Sequence, residues 1–169
     1  MREAPMASWT RWLALSAAVV ALDLATKAWI TAVFRYGEVR EVTPFFNLVL
    51  VHNKGAAFSF LADAGGWQRW FFMAVTVAIS AALVFMLRRH RAHRALSAAL
   101  ALVLGGALGN LYDRVTLGHV VDFVQLHAVG YYWPAFNVAD SAISIGVVLL
   151  LWDSVRPGQD AAPAAQEKP

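Results

Sequence analysis

The chain has 169 residues, 59% of them hydrophobic and only 15% charged, with a mean hydropathy of +0.53; a soluble globule holds nearer half apolar residues, so the composition fits a protein whose solvent is the lipid bilayer. It contains no cysteine, which excludes a disulfide framework, a thiolate zinc site and a cysteine nucleophile. The net charge of +3 and pI near 9.6 do not mark a nucleic-acid binder, because the basic residues sit beside hydrophobic runs without interleaved aromatics, as membrane topology requires.

A membrane helix needs about 20 apolar residues. Four runs have that length: Leu13 to Phe34, Trp67 to Leu87, Ala95 to Leu111 and Phe136 to Trp152. The first follows a short basic N-terminus, but it is too long for a signal-peptide core, lacks a small-residue cleavage site and carries Asp23 and Lys27, so it reads as a retained span. Asp23 and Lys27 are four apart, on one helix face with the acid first, the order that favours an ion pair turned toward the bundle interior. After this span, Phe45 to Val51 is rich in aromatic and β-branched residues and is bounded by Pro44 and by Asn53-Lys54-Gly55. That pattern predicts a strand, a turn and a second short strand over Ala56 to Leu61, a small sheet resting on the membrane surface.

The link between spans two and three, residues 88 to 94, holds four arginines. With Arg2, Arg11, Arg156 and Lys168, that side collects eight basic residues, against Arg35, Arg40, Lys54 and Arg69 on the other. The positive-inside rule then places both termini in the cytoplasm and the segments Arg35 to Gly66 and Tyr112 to Ala135 outside. Trp9, Trp12, Trp67, Trp70 and Trp152 fall at span ends, as in interfacial belts, although simple apolar filling accounts for them equally. Residues 1 to 156 read as one membrane-embedded domain, and the Pro- and Ala-rich tail 157 to 169 as disordered.

Ionised groups inside a bilayer cost roughly 2.5 to 3.5 kcal/mol each even on the lenient scale, so each needs a partner or a purpose. In the third span Gly105 and Gly109 form a small-xxx-small face that admits a close helix. Asn110, Asp113 and Arg114 follow at i, i+3 and i+4 and share one face at its outer end, which favours a hydrogen-bonded polar cluster. Asp122 sits among Val120, Val121 and Phe123 with no nearby partner in sequence, and an unpaired buried acid is rarely kept for packing. Asn137-Val138-Ala139-Asp140 has two readings: a helix N-cap with an acid at its third position, or a second carboxylate meeting Asp122 at the outer membrane boundary. Two acids held together share a proton, one acting as base toward water and the other as acid toward a scissile peptide. Asn53, Asn137 and Arg114 are the groups available to hold such a pair and the tetrahedral intermediate.

These residues, with Val51-His52-Asn53-Lys54-Gly55-Ala56-Ala57-Phe58-Ser59-Phe60-Leu61, the Gly-Asn-x-x-Asp-Arg run at 109 to 114, Val121-Asp122-Phe123 and Phe136-Asn137-Val138-Ala139-Asp140-Ser141, resemble bacterial lipoprotein signal peptidase, also called signal peptidase II. The match runs in order from the first span to the fourth. The resemblance implies an all-α membrane fold of four transmembrane helices topped by a small extracytoplasmic β-sheet, in the bacterial inner membrane. It implies an aspartic endopeptidase that cuts diacylglyceryl-modified prolipoproteins before the lipidated cysteine, with Asp122 and Asp140 as the catalytic pair. Asp23, Lys27, Asn53, Asn110, Asp113, Arg114 and Asn137 fall on its supporting positions. It also implies inhibition by the cyclic peptide globomycin, and neither metal nor cofactor. Phe58, Trp133 and Phe136 are candidate apolar neighbours of lipid or peptide, alongside the ordinary reading of interfacial aromatics.

Other chemistries fit less well. A small transporter or channel subunit with an ion or proton relay would spread its ionisable groups through the membrane depth, whereas these gather toward one side. A metalloprotease built on His52, His119 and His127 lacks a His-Glu-x-x-His stretch, and neither Ser59 nor Ser141 has the setting of a serine nucleophile.

Overall fold

The computed structural model describes residues 9–55, 65–90 and 92–155. In chain order the elements are helix α1 (Thr10–Val33), strands β1 (Val39–Thr43) and β2 (Phe46–Asn53), helices α2 (Trp67–Arg89) and α3 (Arg94–Thr116), strands β3 (Val120–Ala128) and β4 (Tyr131–Tyr132), and helix α4 (Val138–Val155). All four helices are long and apolar enough to cross a membrane, as the sequence predicts, and helices close their own backbone hydrogen bonds where no water can. The third runs five residues past the predicted end at Leu111, so Asp113 and Arg114 are helical rather than in the following loop.

Helix α3 is the hub. It packs on α1, α2 and α4, and over half of its apolar stretch is buried while the other three helices present most of theirs outward. The predicted glycine face works as expected, against α1: a Cβ on Gly105 would lie 2.7 Å from Val19 Cβ, and one on Gly109 would lie 2.6 Å from Asp23 Oδ2. Ser16 Oγ donates to the Ala101 carbonyl at 2.8 Å across the same contact. At the end carrying the arginines, Leu83, Leu87, Leu100 and Leu104 form a buried cluster with Trp12 and Leu13. There Arg88 lies over the Trp9 ring at 4.5 Å, beside the negative end of the α2 dipole.

The sheet sits at the opposite end, since β1 and β2 join α1 to α2 while β3 and β4 join α3 to α4. Its four strands are antiparallel in the order β1-β2-β3-β4. The strand expected over Phe45 to Val51 is β2. Its partners β1 and β3 carry no strand prediction: β1 is exposed at nearly every position and has no buried alternation to read, and β3 pairs with a strand some 70 residues earlier, a relation that local pattern does not contain. The predicted strand Ala56 to Leu61 and the tail 157 to 169 lie outside the described residues, as do Phe58, Ser59 and Arg91. Ile30 of α1, Phe34 just after it, Leu50 of β2 and Val121 and Phe123 of β3 form one buried cluster, which seats the sheet on the bundle.

Between Leu48 and Val51 the β2–β3 register slips by one residue. The slip is a β-bulge in β2. It sets Val51 opposite Asp122 and Asn53 opposite Val120, so Asn53 and Asp122 become diagonal neighbours whose side chains reach one another.

Candidate active site

Every sequence-predicted site residue falls at the junction of sheet and bundle. Lys27, only 3% exposed, carries the inner layer. Its ammonium donates to Asn110 Oδ1 at 3.0 Å and is ion-paired with Asp23 Oδ2 at 2.7 Å and Asp113 Oδ2 at 3.0 Å. The expected Asp23–Lys27 ion pair is therefore present and larger than a pair. Asp23 Oδ1 accepts from the Ala139 N–H at 2.9 Å, one of the first amides of α4, which have no partner inside the helix. Asp113 Oδ2 accepts from the Val121 N–H at 3.0 Å, fixing the strand one residue before Asp122. Burying such charges costs several kcal/mol per ion, and removing one partner of a buried pair costs about 3 to 5 kcal/mol, so the network specifies where α1, α3, α4 and β3 meet.

Asn110 and Asn137 form the next layer. Asn110 Nδ2 donates to Asp140 Oδ1 at 2.7 Å. Asn137, wholly buried, donates through Nδ2 to Asp122 Oδ1 at 2.7 Å, with further contacts to the Val121 carbonyl at 3.2 Å and Asn110 Oδ1 at 3.3 Å. The helix-cap reading of Asn137 and Asp140 also holds. Asn137 Oδ1 accepts from the Asp140 N–H at 2.9 Å and Asp140 Oδ2 accepts from the Asn137 N–H at 3.3 Å, a reciprocal capping box at the start of α4. The cap orients Asp140, and the same Asn137 reaches Asp122 through its side chain.

Asp122 is 2% exposed, and its second oxygen accepts from Asn53 Nδ2 at 3.0 Å. Asn53 is held in turn by the Gly55 N–H, which donates to its Oδ1 at 2.9 Å. Burial pushes the Asp122 carboxyl up to about 7, the charge of Asp140 adds to the rise, and the bonds from Asn53 and Asn137 oppose it. Arg114 does not pair with its neighbour Asp113. Consecutive helical residues face different ways: Asp113 turns to Lys27, whereas Arg114 donates to the Gly55 carbonyl at 3.0 Å and lies over the Phe72 ring of α2 at 5.4 Å.

In front of this cluster lies a cleft of about 700 Å³, lined by Asn53, Asn110, Arg114 and Asp140 at its polar end and by Thr76 and Ile79 of α2, Val103 and Ala107 of α3, and Ile143, Ser144 and Ile145 of α4 along its length. Trp133 and Phe136, predicted apolar neighbours, line it too. Sequence reading missed Ala107 and Ser144. Their signal was spacing, since Ala107 lies three residues before Asn110 and Ser144 four after Asp140. The histidines are engaged elsewhere: His52 stacks on His119 with ring centroids 3.9 Å apart, and His127 contacts Asn47 Oδ1 at 3.1 Å. Among the described residues no group of three or more His, Asp or Glu is arranged to hold a metal ion, and Ser141 Oγ is spent on the Asn137 carbonyl at 2.9 Å.

Comparison with known proteins agrees with the reading of the residues. Residues 15–156 match the family described as Signal peptidase (SPase) II. The chain is 54% identical over 158 residues to the Lipoprotein signal peptidase of Azoarcus sp. (strain BH72), covering 94% of this chain and 90% of that one. It is 57% identical over 145 residues to the Lipoprotein signal peptidase of Cupriavidus necator, covering 86% and 83%. A solved bacterial membrane enzyme, determined by the in meso method at 2.3 Å resolution, superposes with a TM-score of 0.78 at 34% identity, covering 90% of this chain and 94% of that one. With a family match over most of its length and relatives above half identity, this chain belongs to the signal peptidase II family, the membrane proteases that remove signal peptides from lipoproteins.

Proposed function

We propose that this chain is an aspartic endopeptidase in which Asp122 and Asp140 share a proton. The single observation that carries the reading is Asn137, whose side chain and backbone hold both carboxyls at once. The buried carboxyls of Asp23, Asp113 and Asp122 and the half-buried one of Asp140 outnumber the cations Lys27 and Arg114, an imbalance that favours a retained proton. Asp122, 2% exposed where Asp140 is half-buried, is the more shielded of the two and is assigned the acid, with Asp140 as the base.

Asp140 takes a proton from water as the oxygen attacks the scissile carbonyl carbon, and Asp122 gives its proton to the carbonyl oxygen. As the tetrahedral intermediate collapses, Asp140 passes its proton to the leaving nitrogen, the C–N bond breaks and Asp122 recovers its own. Arg114 and Asn53, which line the cleft beside Asp140, stabilise charge on that oxygen. Asp23, Lys27, Asn110 and Asp113 act behind them as positioning residues.

The substrate is a diacylglyceryl-modified prolipoprotein cut before its lipidated cysteine. Its acyl chains supply the anchor, at roughly 0.8 kcal/mol per buried methylene, against the apolar wall that includes Ile79, Phe136 and Ile145. Globomycin, a cyclic peptide, competes for this cleft. The chain lies in the bacterial inner membrane with both termini cytoplasmic and the sheet periplasmic, a reading supported by Arg88, Arg89 and Arg94 at the helix ends opposite the sheet.

The test is release of the signal peptide by purified protein in detergent. Asp122→Asn and Asp140→Asn each abolish cleavage while leaving the protein folded; near-normal turnover by either removes that residue from the pair. A lipidated precursor is cut far faster than the same precursor without diacylglycerol, and equal rates would exclude recognition through the lipid.

A further inference from the structure

The most unusual backbone outside the catalytic cluster lies at the tip of the β3–β4 hairpin. Strand β3 ends at Ala128 and β4 begins at Tyr131, so the turn is Val129-Gly130, with φ of +50° and +79°. A two-residue hairpin turn with both φ values positive prefers Asn, Asp or Gly at its first position. Among the described residues Val129 is the only non-glycine with positive φ, a conformation in which a β-branched side chain is an outlier. Its exposure is 107%, so packing within the chain does not account for the choice. In water, Asn at this position would improve both conformation and hydration.

The surroundings repeat the pattern. Phe45, Leu126, Tyr131, Tyr132 and Trp133 are all exposed, and from residue 123 to residue 139 there is no Lys, Arg, Asp or Glu. Tyr and Trp are the residues enriched at headgroup depth. The patch continues a surface already in lipid: Leu126 and Trp133 line the same cleft as Ile79 and Ile145, both of which face outward on their spans. The other edge of the sheet is mixed, for β1 exposes the charged Arg40 and Glu41 between Val39 and Val42.

We propose that the β3–β4 tip, Val129 with Tyr131, Tyr132 and Trp133, inserts into the headgroup and upper acyl region of the bilayer as an interfacial anchor. Lipid is the occupant that rewards an exposed valine in a strained turn, and continuity with the spans supplies it without a partner protein. The anchor sets the height of β3, and so of Asp122, against the lipid surface. It stands independently of which carboxyls perform the cleavage.

Because the chain has no cysteine, Val129→Cys provides a unique labelling site in the full-length protein. An environment-sensitive fluorophore there, in nanodiscs of phosphatidylethanolamine and phosphatidylglycerol, is expected to be quenched by lipids carrying a nitroxide high on the acyl chain and shielded from aqueous cobalt. The same label at Glu41→Cys is expected to show the reverse. Equal access of cobalt to both sites overturns the proposal. It is equally overturned if shielding at 129 arises only on addition of lipidated precursor, or only as protein concentration rises at fixed lipid, since these assign the patch to substrate or to a second copy. Should Val129→Cys not accumulate, Tyr131→Cys carries the same outcomes.

Discussion

Asp122 accepts two hydrogen bonds, which ordinarily hold a carboxyl ionised. Here burial outweighs them and the neighbouring Asp140 charge adds to it, so the group rises from 3.8 to about 7. The folded value lies above the unfolded one, so the retained proton contributes stability that is fully present below pH 3.8 and lost as pH rises through about 7. In the proposed mechanism the same proton is the one given to the scissile carbonyl, so turnover is expected to fall above pH about 7. Asn53 donates to the carboxylate form. Its replacement, Asn53→Ala, is expected to move the descending limb of the kcat profile to higher pH; a limb that stays in place would separate Asn53 from the titration of Asp122. His52 and His119 shift the other way, held below the usual imidazole range first by burial, and for His52 also by Lys54 and for His119 by His52. Their contribution to stability is present above pH 6.5 and lost as pH falls through their lowered values.

At the level of elements, two glycines of α3 meet the same helix with different consequences. A Cβ on Gly105 would crowd Val19 Cβ and the Ser16 carbonyl at 2.7 and 2.8 Å, whereas one on Gly109 would press on Asp23 Oδ2 at 2.6 Å. Overpacking costs about 1 to 3 kcal/mol, so Gly105→Ala and Gly109→Ala both lower the midpoint of thermal unfolding in detergent. Only the second displaces Asp23 from Lys27 and from the Ala139 N–H. Gly109→Ala is therefore expected to lower kcat as well, while Gly105→Ala leaves kcat of the folded fraction near wild type. Equal kcat in the two variants would show that the Asp23 contact does not reach the reacting groups. The bulge in β2 acts at this same scale, since a strand without it would set Leu50 rather than Val51 opposite Asp122.

In the whole molecule, the hub position of α3 leaves the sheet-side halves of α2 and α4 apart, and the cleft lies between them with its polar end at the sheet. Ionisable side chains gather at that end instead of descending through the spans, the arrangement of a site that meets its substrate at the membrane boundary. The orientation we propose rests on the arginines at the other end, which the positive-inside rule places in the cytoplasm. Reporter fusions are expected to place a junction after His90 in the cytoplasm and junctions at Lys54 and Val129 outside. A periplasmic junction at His90 would invert the topology and move the site to the other face.

The four spans were legible because the bilayer imposes a local requirement, an uninterrupted apolar run, that any window of the sequence displays. The Asp23–Lys27 pair and the glycine face of α3 were legible for the same reason, as they follow from helical spacing alone. Tertiary structure decided what depends on distant segments. Lys27 gains Asp113 and Asn110 from a helix more than 80 residues away, which turns a pair into a buried network. Asn53 reaches Asp122 through strand pairing and a bulge, and Asn137 serves at once as helix cap and as partner of Asp122 because α4 starts against β3. Motifs named the residues that the fold gathers into one cluster. Their partners were absent from local pattern because hydrogen-bond geometry across a sheet or between helices is set by packing, and packing brings together positions whose separation along the chain has no period to read.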